Sequence, residues 1–159
     1  MAGGPLLLFD GDCAFCTSSV GWFVRAFPHA FVALPYQRAK LELLGLTESE
    51  CHSRLQWISD TSMAATSRES GARAVGSMMR SGGRSLRASA VDRDSTPPAD
   101  EHPRAATRSR LRLRASGALW IVCGVLALVP PTSWIAAGIY WAVAANRHAL
   151  PGGTPACHL

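Results

Sequence analysis

Two cysteines three residues apart, Cys13 and Cys16, stand directly after the apolar run Leu6-Leu7-Leu8-Phe9 and the turn Asp10-Gly11-Asp12. An apolar-periodic stretch containing Val20, Phe23, Val24 and Phe27 follows them. This reads as strand, turn and helix, with Cys13 where the helix opens and Cys16 one turn behind on the same face. The unpaired N–H groups and the positive end of the helix dipole favour a thiolate at Cys13. Sulfurs so placed can join and separate without movement of the strand, as a reversible dithiol requires. In that chemistry an exposed Cys13 attacks a disulfide and a sheltered Cys16 resolves the mixed disulfide. Asp10 and Asp12 act in two directions: a carboxylate beside Cys13 raises its pKa, whereas one near Cys16 can accept its proton during resolution. Asp12, immediately before the helix, also suits a structural role as its N-cap.

Other chemistries use the same pair. A Cys-x-x-Cys unit supplies half of a zinc site, and a non-catalytic zinc-binding scaffold is the alternative from another class, but no second pair follows at ribbon or finger spacing. Cys157 and His158 could complete a four-ligand set, although adjacent residues seldom both face one ion. A c-type haem would need His after the second cysteine, where Thr17 stands. Two inert, packed cysteines are the remaining reading. Neither a metal nor another cofactor is expected.

The run Leu7-Leu8-Phe9-Asp10-Gly11-Asp12-Cys13-Ala14-Phe15-Cys16 resembles the signature of the DCC family of predicted thiol-disulfide oxidoreductases, formerly a domain of unknown function, named for its Asp-x-x-Cys-x-x-Cys motif. Pro35-Tyr36-Gln37, Ser70-Gly71 with Ala74-Val75, and the segment from Tyr140 to His148 are similar to it as well. The likeness covers roughly residues 5–83 and 115–159. It implies a thioredoxin-like fold, disulfide chemistry, and Asp10 as the carboxylate that serves the dithiol.

The elements needed to position these groups follow in order. A buried strand over 5–9 leads to a helix from about Cys13 to Ala26, stopped by Pro28. A second strand over 30–34, parallel to the first through a right-handed crossover, would carry Pro35, Tyr36 and Gln37 towards Cys13, with Gln37 as a neutral hydrogen-bonding neighbour of the sulfurs. A helical piece over 38–45 ends at Gly45, and Thr47 with Glu50 forms a capping box. Residues 55–59 alternate as a strand, 63–66 form a weaker partner strand, and a helix carrying Ala72, Val75, Met78 and Met79 follows Ser70-Gly71. The expected class is α/β, a thioredoxin- or glutaredoxin-like β-α-β-α-β-β-α core, which brings Ser53-Arg54 and Ser70-Gly71 to the dithiol edge. Thioredoxins place a cis-proline before the third strand. Here the loop is Cys51-His52-Ser53-Arg54-Leu55, which weakens the case for gripping an extended substrate by backbone pairing.

With 159 residues and an apolar content of 48%, the chain has enough material for one modest core. Residues 1–83 form the expected dithiol domain. Residues 84–114, rich in Arg, Pro and Ser, hold eight Arg against four acids and read as a disordered insertion. Residues 115–159 read as a helical segment with two apolar helices packing on the core. The positive excess therefore lies in one segment without interleaved aromatics, and nucleic-acid binding is not expected. Residues 117–145 carry no charge, so a membrane-associated redox partner is the alternative location. With no leader pattern at the start and an odd count of five cysteines, a reducing cytoplasm is expected. The expected partners are a disulfide-containing protein or small thiol as substrate and a separate electron donor.

Overall fold

A computed structural model of the chain describes residues 4–59, 67–95, 103–147 and 150. Within these the chain forms β1 (Leu6–Phe9), α1 (Ala14–Ala26), β2 (Val32–Pro35), a 3-10 turn (Tyr36–Arg38), α2 (Leu41–Leu44) and α3 (Glu48–Ser53). There follow β3 (Gln56–Ile58), β4 (Arg68–Ser70), α4 (Ala72–Ser95), α5 (Pro103–Leu126) and α6 (Thr132–Asn146). The protein is mixed α/β, with a four-stranded sheet in the order β2-β1-β3-β4. β1 runs parallel to β2 and antiparallel to β3, and β3 is antiparallel to β4.

Alternation along β1 sends its side chains into two cores. Leu7 and Phe9 meet Val20 of α1, Trp57 of β3, and Ala74 and Met78 of α4 on one face. Leu8 meets Tyr36, Cys51 and Ile58 on the other, under α2 and α3. Local sequence sets the shorter elements. Gly45 takes a left-handed conformation (φ 61°) and closes α2, and Thr47 and Glu50 form the reciprocal capping box that opens α3. A fourth strand lies at 68–70; the expected strand over 63–66 falls outside the described residues.

The expected disordered insertion is corrected over its described parts: residues 84–95 complete α4 and residues 103–114 open α5, while residues 96–102 lie outside the described residues. Small residues make the contacts between these helices. A Cβ on Gly83 would stand 2.5 Å from the Gly117 carbonyl oxygen, and one on Gly124 would stand 2.5 Å from that of Gly76. Two glycine pairs, each seven residues apart on its helix, thus let the α4 and α5 backbones touch. Gly82 lies beneath the Phe27 ring, and Ser81 and Ser85 donate hydroxyl hydrogen bonds to the Ala30 and Pro28 carbonyls (3.0 and 2.8 Å). Composition predicts disorder when burial cannot offset the entropy of ordering, but a close-packed helix pair gains dispersion contacts from small residues too.

α5 sets Trp120 among Trp22, Phe23 and Phe27 of α1 and its following turn. α6 turns Tyr140, Ala144 and Arg147 inward, while Trp134 (73% exposed), Ile135, Ile139 and Trp141 (72%) face outward. Among the described residues no helix is long and apolar enough to cross a membrane.

The glycine seam is testable with a matched pair of substitutions. Gly117→Ala places a methyl group against backbone and should cost about 1–3 kcal/mol. Gly138→Ala, where a Cβ meets nothing within 4 Å, should stabilise by about 0.5–1 kcal/mol. Urea unfolding of both variants reads the difference, and equal effects would refute close packing at the seam.

Candidate dithiol site

The dithiol sits where β1 hands over to α1. Cys13 is the N-cap of α1 in an extended conformation (φ −85°, ψ 107°), and its Sγ accepts the Cys16 N–H at 3.3 Å. The Cys16 thiol donates to Cys13 Sγ at 2.8 Å. Both cysteines are unlinked thiols. Cys13, not Asp12, thus fills the cap position. The exposure of the two sulfurs reverses the expected order: Cys13 is 0% exposed, whereas Cys16 is half-buried and lines a cavity. A helix-cap position fixes the N–H groups around a sulfur but does not decide what packs over it.

Asp10 is buried at the end of β1. Its Oδ1 accepts from Gln37 Nε2 at 2.9 Å and from the Asp12 N–H at 3.1 Å, and its Oδ2 lies 3.1 Å from His52 Nδ1. Gln37 also donates to Asp12 Oδ2 (3.2 Å), and its Oε1 accepts the Gly11 N–H (3.1 Å). Gln37 therefore bonds the carboxylates and the turn, a different task from contacting the sulfurs. Pro35 packs against the same turn, so closely that a Cβ on Gly11 would stand 2.8 Å from the Pro35 Cβ. Gly11 is required by that approach.

Ser70 pairs with Gln56 across the sheet and stands back from the cavity. Gly71, at φ 60°, donates its N–H to the Leu55 carbonyl (2.9 Å) and lies beneath the Tyr140 ring, where a Cβ would meet Cε1 at 3.3 Å. Tyr140 in turn accepts the Leu55 N–H at 3.0 Å. Burial raises the Tyr140 pKa, so its hydroxyl remains protonated at neutral pH.

Three contributors escaped the reading of site residues from sequence: His52, Tyr140 and Arg147. Arg147 is buried and its Nη1 donates to the His52 carbonyl at 3.2 Å. The only sequence signal was that Tyr140 and Arg147 fall in the C-terminal segment resembling the DCC family. Together with Asp10, Phe15, Cys16 and Arg54, these residues line the cavity of about 240 Å³ beside the dithiol. Among the described residues no group of three or more His, Cys, Asp or Glu side chains could hold a metal ion; Cys157 and His158 lie outside them.

Cys51 lies deep in the second core, and burial, reinforced by Glu50, pushes its thiol from an ordinary value near 9 up to about 11. A raised thiol pKa stabilises the fold below pH ~9, and that contribution is lost as the pH rises to about 11. In native protein at pH 8, iodoacetamide should label exposed Cys123 and spare Cys51, with Cys51 protection fading towards pH 11. Labelling of both at equal rates, mapped by mass spectrometry, would contradict this burial.

Compared with family models, curated proteins and solved structures, the chain matches none of them.

Proposed function

We propose that the chain is a thiol-disulfide oxidoreductase that works through Cys13 and Cys16. The observation that carries this reading is the 2.8 Å approach of two thiols at the start of α1, one of them open to a cavity. A sheet ordered β2-β1-β3-β4 with a parallel first pair, and a dithiol at the start of α1, support a thioredoxin-like fold and the resemblance to the DCC family.

The exposure of the two sulfurs favours roles in an order opposite to that expected from the spacing. Cys13 Sγ, as thiolate, is stabilised by the Cys16 N–H and takes the Cys16 proton along the hydrogen bond between the sulfurs. The Cys16 thiolate attacks one sulfur of the substrate disulfide, the substrate S–S bond breaks, and a thiolate leaves and is protonated. Cys13 then loses its proton to the Asp10 and His52 pair that lines the same cavity. It attacks Cys16 Sγ, forms the internal disulfide and expels the second substrate thiolate. The pair, starting as one thiolate and one thiol, gives up two electrons and one proton; with a second proton from solvent, one disulfide becomes two thiols. A separate thiol donor restores the reduced pair.

A membrane-associated form of the same enzyme is favoured by one further observation, the uncharged outer face of α6 with two Trp side chains more than two-thirds exposed. Tryptophans in such a position suit the headgroup boundary of a bilayer.

In reduced protein treated with a small disulfide, Cys13→Ser should accumulate a mixed disulfide on Cys16, Cys16→Ser should be inert, and the wild type should close the internal bond. Mass mapping of the adducts decides. A mixed disulfide on Cys13 in Cys16→Ser would restore the opposite order, and no reaction in any of the three would reject the oxidoreductase. For the membrane form, the full chain should float with anionic vesicles, and Trp134→Ser with Trp141→Ser should weaken binding by about tenfold or more. A chain that stays with the soluble fraction would reject it.

A further inference from the structure

The cavity beside Cys16 constrains the substrate. Its floor is apolar, built from Phe15, Val20, Phe23, Val75, Met78 and Val143. At about 240 Å³ it falls below the range of ~300–1,000 Å³ usual for drug-sized ligands, so it suits a single ring or a branched chain. The backbone just before β3, where a strand-like substrate would pair, is already occupied. The Leu55 N–H is bonded to the Tyr140 hydroxyl, and the Leu55 carbonyl to the Gly71 N–H. An extended peptide has neither donor nor acceptor to grip at that residue. Arg54 and Arg147 line the cavity against one carboxylate, that of Asp10, which already faces His52 and Gln37. The charged lining is therefore net positive.

We propose that the disulfide reduced at this site is a small molecule with an aromatic or branched apolar group and a carboxylate, seated in the cavity against Cys16 and not held as an extended strand. This rests on the thiol-disulfide reading. The apolar group fills the floor, the carboxylate meets Arg54 at the rim, and the disulfide lies at Cys16 Sγ. The redox balance is that of the exchange above, one disulfide reduced to two thiols by the dithiol.

The test compares second-order rates of oxidation of the reduced, full-length protein by four disulfides. They are dithiobis(nitrobenzoate), aromatic and anionic; dithiodipyridine, aromatic and neutral; bis(hydroxyethyl) disulfide, small and polar; and insulin. Each rate is divided by the rate of the same disulfide with free glutathione, which removes its intrinsic reactivity. The anionic aromatic probe should lead, with the polar probe and insulin slower by about tenfold or more, the worth of one well-buried apolar group. Val143→Trp fills the cavity from the α6 side. It should slow both aromatic probes about tenfold and leave the polar probe within about twofold. Should that variant fail to fold, Ser19→Phe fills the cavity from α1 and carries the same expectation. Arg54→Gln, at an exposed position, should bring the two aromatic probes to equal normalised rates.

Equal normalised rates for all four disulfides, a preference for insulin, or indifference to the filling variants would overturn the substrate assignment while leaving the dithiol chemistry standing. Failure of every disulfide to oxidise Cys13 and Cys16 would instead remove the oxidoreductase reading itself.

Discussion

The burial of one carboxylate holds this site together. Asp10 is 4% exposed, and a carboxyl group in that setting is tolerated only with polar partners around it. Each partner comes from a different part of the chain: the Asp12 N–H from the turn into α1, Gln37 from the turn after β2, and His52 from α3. Gathering these groups around Asp10 ties the end of β1, the start of the dithiol helix and α3 to one another. Gly11 is the steric condition for this arrangement, because the turn and Pro35 come too close for any side chain between them.

The second constraint comes from the C-terminus. Tyr140 and Arg147 reach back 85 and 95 residues in sequence to bond Leu55 and His52. Both contacts fall in the loop before β3, so α6 acts as a wall of the cavity and as a clamp on the segment that carries His52. The clamp needs Gly71, whose missing side chain leaves room for the Tyr140 ring. Behind it, α4 and α5 form a rigid pair through their glycine contacts, and Trp120 ties that pair to α1. The dithiol helix is thus supported from the sheet on one side and from the helical layer on the other.

How much of this was legible follows from the range of each interaction. Local signals were readable: the apolar run before Asp10, the helix after Cys13, Gly45, and the Thr47 and Glu50 box all depend on residues within a few positions. The parallel crossover that brings Gln37 to the turn follows from a rule of handedness, but its bonding to Asp10 and Asp12 rather than to sulfur depends on side-chain reach. The helices over 84–95 and 103–114 were not legible, since a stretch rich in Arg, Pro and Ser shows little to bury unless its partner helix is known. The exposure of Cys13 and Cys16 was equally hidden, because it is set by what packs over the turn and not by their spacing.

These constraints join in the loop from Cys51 to Leu55. A loop that offers its backbone to a substrate strand must keep at least one polar group unsatisfied until the substrate arrives, at a cost of about 1–3 kcal/mol if it is buried. Here that cost is avoided within the fold, by a phenol on one side of Leu55 and the Gly71 amide on the other. The loop can then afford to lack a proline, and its remaining polar groups turn to other tasks, with His52 facing Asp10 and holding Arg147 through its carbonyl. On the proposed reading, recognition moves from the backbone to the cavity that α6 walls, and the sulfur lining that cavity is Cys16. On that reading, the helix whose Tyr140 occupies the Leu55 amide also walls the cavity at which Cys16 meets its substrate.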